Sequence, residues 1–107
     1  MITKIKKRDG RTANFDIDKI TQAIYKAAQA IGGTDYETAS ALAKEVCEIL
    51  EAQADNEPTV EHVQDTVEKV LIENGHARTA KEYILYRADR TRVRDMNTKL
   101  MKIYEDL

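Results

Sequence analysis

One cysteine, one proline and four glycines are scattered through 107 residues, and each scarcity excludes something. Cys47 has no partner for an internal disulfide, and one thiol cannot build a zinc ribbon, so a reducing, cytoplasmic setting is expected. The glycines form no phosphate loop, which leaves no backbone nest for an anion; any phosphate has to be held by side chains. The two histidines, His62 and His76, fall into no metal-ligand spacing, and no metal site is expected. No apolar run approaches the ~20 residues of a membrane span, and no signal-peptide pattern precedes the first strand. Nothing in the chain resembles a catalytic constellation.

What remains is charge and helical periodicity. A chain with 42% hydrophobic and 34% charged residues is a charge-rich, mainly helical protein able to bury one core. The net charge of -2 argues against a general nucleic-acid binder, which would carry a basic excess. The cations are unevenly spread. Lys4, Lys6, Lys7, Arg8 and Arg11 crowd the start, while Arg87, Arg90, Arg92 and Arg94 crowd a later helix. If the two clusters meet in space, they make a local anion site in an acidic protein.

Residues 2–7 alternate as a strand with Ile5 inward, and Asp9-Gly10 turns into a second short strand near Arg11 to Phe15. Asp16 then caps a helix whose apolar face runs from Ile17 through Ile20, Ile24 and Ala27, and Gly32-Gly33 stops it. A second helix is expected over about Tyr36 to Ala54, carrying Leu42, Ala43, Val46, Leu50 and, as a small buried hydrophobe, Cys47. Asp55-Asn56-Glu57-Pro58 breaks it. Thr59 caps a third helix with a Val63, Val67, Val70, Leu71 stripe, ended by Asn74-Gly75. A fourth starts near His76 and turns polar and arginine-rich from Asp89 to Asp95, the pattern of a helix leaving its domain.

The most informative stretch is Lys7-Arg8-Asp9-Gly10 followed by Phe15-Asp16-Ile17-Asp18-Lys19-Ile20. It places two cations, a tight turn, a helix start and a third cation together. Lys19 falls in the first turn of its helix, where the macrodipole disfavours a cation unless an anion sits nearby. Helix starts and clustered Lys and Arg are what a polyphosphate needs. The same pattern also describes a solvated hairpin with charged flanks, in which lysines guard an exposed edge. The residues alone leave both readings open.

The run Ile5-Lys6-Lys7-Arg8-Asp9-Gly10, then Phe15-Asp16 and Lys19-Ile20, resembles the opening of the ATP-cone domain, the regulatory nucleotide-binding unit of many ribonucleotide reductases. The likeness continues through Thr59-Val60-Glu61-His62-Val63-Gln64 and Ala80-Lys81-Glu82-Tyr83-Ile84-Leu85-Tyr86-Arg87, covering about residues 1–92. Residues 93–107 resemble a helical lead-in to the catalytic region of an anaerobic ribonucleoside-triphosphate reductase.

The resemblance implies an α+β, mainly α fold: a four-helix bundle capped by a small three-stranded sheet, with a third strand around Glu57 to Thr59. It implies that Lys7, Arg8 and Lys19 hold phosphates, that Ile5 packs on the base, and that Asp16 caps the helix or holds Mg²⁺ through water. Thr59, Val60 and Gln64 would face the adenine, and Arg87 would supply the last basic contact, with Tyr83 and Tyr86 nearby. Many family members carry a glutamate near Ala13, and this chain does not. The implied role is allosteric: ATP or dATP, with Mg²⁺, would set the activity and oligomeric state of a reductase whose catalytic domain lies in the same chain. The fragment itself would not be an enzyme and would contact neither nucleic acid nor membrane. Two other readings are a cone-bearing transcriptional repressor, weakened by the missing zinc ribbon, and a ligand-free helical interaction domain.

Overall fold

The computed structural model describes residues 2–53 and 57–88. Two short strands, β1 (Lys4–Lys6) and β2 (Thr12–Asn14), are followed by helices α1 (Ile17–Ala30), α2 (Tyr36–Ala52) and α3 (Val60–Glu73). A fourth helix, α4, covers residues 77–88. The second helix stops two residues short of its expected end at Ala54, and the break at Asp55-Asn56 lies outside the described residues. So do the arginine-rich stretch from Asp89 to Asp95 and the extension over 93–107.

The strands pair antiparallel with Ile5 opposite Ala13, both on the half-buried inner face, while Lys4, Lys6, Thr12 and Asn14 face outward. The connection runs through the five residues 7–11. Lys7 N–H donates to the Arg11 carbonyl at 2.7 Å, Gly10 N–H donates to the Lys7 carbonyl at 3.0 Å, and Gly10 takes φ +86°, which favours glycine. Asp9 locks the turn by accepting from Arg11 N–H at 3.0 Å and from Arg11 Nε at 2.6 Å. The backbone hydrogen bond from Arg11 heads the causes that hold the Asp9 carboxyl below its usual value.

The expected third strand is reduced to one parallel bridge between Lys6 and Thr59. Among the described residues the sheet is two-stranded. Pro58 has no N–H to give, and Thr59, extended at φ -74° and ψ 156°, is already the N-cap of α3. The chain therefore has one residue of extended backbone before it must coil. The Pro58 carbonyl still accepts from Lys6 N–H at 2.9 Å, which ties the start of α3 to the free edge of β1.

The starts of α1, α2 and α3 are each capped by a short polar side chain: Asp16 accepts from Asp18 N–H, Asp35 from Thr38 N–H, and Thr59 from His62 N–H. The α1 and α3 ends are Schellman turns. Gly33 N–H donates to the Ala28 carbonyl and His76 N–H to the Leu71 carbonyl, both at 2.8 Å. The apolar stripes then meet in one core: Ile20, Ile24 and Ala27 of α1, Leu42, Val46 and Leu50 of α2, Val63, Val67, Val70 and Leu71 of α3, and Ala80 and Tyr83 of α4. Helix α1 packs on α2, and α2 on α3. The hairpin lies over this core through Ile2, Ile5 and Phe15.

Candidate nucleotide-binding site

Three features position the site. The hairpin loop carries Lys7 and Arg8 beyond the paired strands, the Asp16 cap starts α1 two residues after β2 ends, and the Lys6–Pro58 bond ties the start of α3 to β1, where Val60 and Ile5 line one cleft. A cleft of about 500 Å³ lies between them, closed on the far side by the last turns of α4. That volume is within the range of small-molecule sites, ~300–1,000 Å³.

The cleft is lined by Ile5, Lys7, Arg8, Asp16, Lys19, Val60, Gln64 and Arg87, every residue singled out from the sequence except Thr59. The Thr59 hydroxyl is engaged elsewhere, because Oγ1 accepts from His62 N–H at 3.1 Å as the α3 cap. Lys7 and Arg8 of the first basic cluster and Arg87 of the second line the same cleft, while Arg90, Arg92 and Arg94 lie outside the described residues. Tyr83 and Tyr86 also line the cleft. Tyr83 belongs to the core as well, at 5% exposure, and burial pushes its phenol up to about 12.

The charges divide into two kinds. Arg8 Nε pairs with Glu61 of α3 at 2.6 Å, and Arg87 Nη1 bridges Asp65 and Glu68 of α3 at 2.9 Å each. Partial burial works against the Arg87 charge, but the hydrogen bonds it donates to Asp65 and Glu68 outweigh it and hold the guanidinium above its ordinary value. Lys7 and Lys19 make no side-chain hydrogen bond or ion pair among the described residues. Gln64 contributes the one buried side-chain polar atom left without a partner among the described residues, its carbonyl oxygen Oε1. A buried acceptor without a donor costs about 1–3 kcal/mol, and a ligand donor in the cleft would relieve it.

Lys26, Gln22 and Asn14 also line the cleft and were not singled out from the sequence. Lys26 was detectable, since it lies seven residues after Lys19 and seven residues are two helical turns. Asn14 had no comparable signal; its Oδ1 accepts from Lys4 Nζ at 2.7 Å across the hairpin. Among the described residues no group of three or more His, Cys, Asp and Glu side chains could hold a metal ion. No helix among the described residues is long and apolar enough to cross a membrane.

Comparison with known proteins agrees with the geometry. The vitamin B12-dependent ribonucleoside-diphosphate reductase of Thermoplasma acidophilum is 39% identical over 112 aligned positions, covering 100% of this chain and 14% of that protein. The anaerobic ribonucleoside-triphosphate reductase of Haemophilus influenzae is 34% identical over 94% of this chain and 14% of its own length. The ribonucleoside-diphosphate reductase subunit alpha of Chlamydia trachomatis is 39% identical over 83% of this chain and 10% of its own. The chain thus spans between 10 and 14% of the length of these relatives. The family profile of the ATP cone domain matches residues 3–92, and the chain belongs to that family.

Proposed function

We propose that this ATP-cone domain binds ATP or dATP in the cleft and regulates the overall activity of a ribonucleotide reductase of which it forms part. The observation that carries the reading is the meeting, in one cleft, of Lys7 and Lys19 with the carbonyl oxygen of Gln64, all three without a side-chain partner among the described residues. Two ammonium groups without counter-ions suit phosphates. A lone buried acceptor suits the exocyclic amine of adenine. Between them the half-buried Ile5 and Val60, held together by the Lys6–Pro58 hydrogen bond, offer an apolar surface for the base.

Mg²⁺ would accompany the nucleotide, with Asp16 able to reach it through water. ATP and dATP differ only at the ribose 2′-hydroxyl, so their opposite effects would require contacts that sense that group and shift an equilibrium between assemblies of the whole enzyme. The relatives include B12-dependent, anaerobic and alpha-subunit reductases, so the proposal is made for the reductases as a class. The anaerobic subclass expected from the tail rests on residues outside the described part.

Isothermal titration of the 107-residue chain with ATP and dATP tests the reading. Both should bind at micromolar concentration. Lys19→Ala should weaken both together by roughly tenfold or more, the worth of one charge-assisted hydrogen bond. No heat from the wild-type chain, with the helical circular dichroism intact, would leave it a ligand-free interaction domain.

A further inference from the structure

We infer that Lys26 of α1 completes, with Lys7 and Lys19, a three-lysine cradle for the phosphate chain of a nucleoside triphosphate, with Lys26 at the terminal phosphate, and that it makes the cleft prefer a triphosphate over a diphosphate. The inference rests on the nucleotide reading above and places the phosphates within it.

Five cations line the cleft, and they are not equivalent. Arg8 and Arg87 are already compensated by Glu61 at 2.6 Å and by Asp65 and Glu68 at 2.9 Å. Those carboxylates stand at i, i+4 and i+7 of α3, on one face of that helix. A phosphate seated against α3 and α4 would have to displace them or lie beside three negative charges. The α1 wall is different. Lys19 and Lys26 both line the cleft without an ion pair or side-chain hydrogen bond among the described residues, as does Lys7 across from them. The uncompensated positive charge of the cleft is therefore confined to the hairpin loop and α1.

Helical geometry makes the three lysines one site. Residues 19, 22, 23 and 26 follow the i, i+3, i+4, i+7 pattern, and all four line the cleft. Two turns separate Lys19 from Lys26, about 10.5 Å of axial rise. Side chains on a helix lean toward its N-terminus, so the long Lys26 stem leans back over Ala23 toward Lys19. Ala23, between them, is too small to block that path. A phosphate chain that begins at Lys7 and Lys19 therefore ends at Lys26.

Titration of the 107-residue chain with ATP, ADP and AMP, for the wild type and for Lys26→Gln and Lys26→Arg, tests this. The wild type should bind ATP more tightly than ADP. Lys26→Gln should lower ATP affinity about tenfold and leave ADP and AMP within twofold, abolishing the preference. Lys26→Arg, which keeps the charge, should retain it. An unchanged ATP affinity, an equal loss for all three nucleotides, or a loss in the number of nucleotides bound rather than in the ATP/ADP ratio would overturn the cradle. Any of these, with ATP still bound by the wild type and weakened by Lys19→Ala, would leave the nucleotide reading standing. Absence of ATP binding by the wild type would remove both.

Discussion

Arg87 Nη1 lies 2.9 Å from Glu68 Oε1, and the two side chains are only 20% and 22% exposed, so the ion pair that joins α4 to α3 is largely shielded from water. The same nitrogen reaches the more exposed Asp65 at 2.9 Å. The guanidinium thus closes the far wall of the cleft while it clamps two helices. Removing it leaves Glu68 half-buried and uncompensated. Arg87→Met, which keeps the apolar stem, should destabilise the domain by about 1–3 kcal/mol, between the worth of exposed pairs and that of buried ones. Adding Glu68→Gln should restore part of the loss, because the stranded charge goes too. A thermal-unfolding double-mutant cycle checks this, and strictly additive effects would show that the pair contributes nothing to holding α3 and α4 together.

Thr59 separates a structural role from a ligand contact. Its hydroxyl accepts from His62 N–H, and the residue does not line the cleft. Thr59→Ala should cost about 1 kcal/mol, the usual worth of an N-cap, and lower the melting temperature by about 4–8 °C. ATP affinity at a temperature where the variant is fully folded should change less than twofold. Thr59→Ser, which keeps the cap, should be neutral in both measurements. An affinity loss in the alanine variant that exceeds its stability loss would return Thr59 to the ligand.

The helices were legible because their boundaries are local chemistry: Asp16, Asp35 and Thr59 cap, while Gly32 and Gly75 take φ +87° and +82° at the two Schellman turns. The apolar stripes fixed which face turns inward. The third strand was not legible, because whether Glu57 to Thr59 extends a sheet depends on how soon α3 starts and on the edge that β1 offers. The site was legible in its cations but not in their pairing. Nothing in the spacing of Arg8 and Arg87 reveals that Glu61, Asp65 and Glu68 will meet them, since those contacts join residues 19 to 53 positions apart along the chain. That pairing is a property of the packed helices, and it decides which cations remain available.

If the cleft takes a nucleotide, Gln64 is the residue placed to select its base. Its Oε1 is buried in the cleft wall without a donor, on the same turn of α3 as Val60 and the core residue Val63. Adenine presents an amine at its Watson–Crick edge, where guanine presents a carbonyl oxygen. The first would satisfy Oε1, and the second would set two acceptors against each other at a buried atom. A site with a buried polar group discriminates strongly, because the wrong partner leaves that group unpaired. Gln64→Ala should therefore shrink the ATP/GTP affinity ratio by roughly tenfold or more, mostly by weakening ATP. The apo domain should lose little stability, since the substitution also deletes the unsatisfied acceptor. Competition titrations with ATP and GTP on the wild type and the variant measure the ratio directly. An unchanged ratio would make Gln64 a bystander in the wall and move base recognition to the backbone of the hairpin.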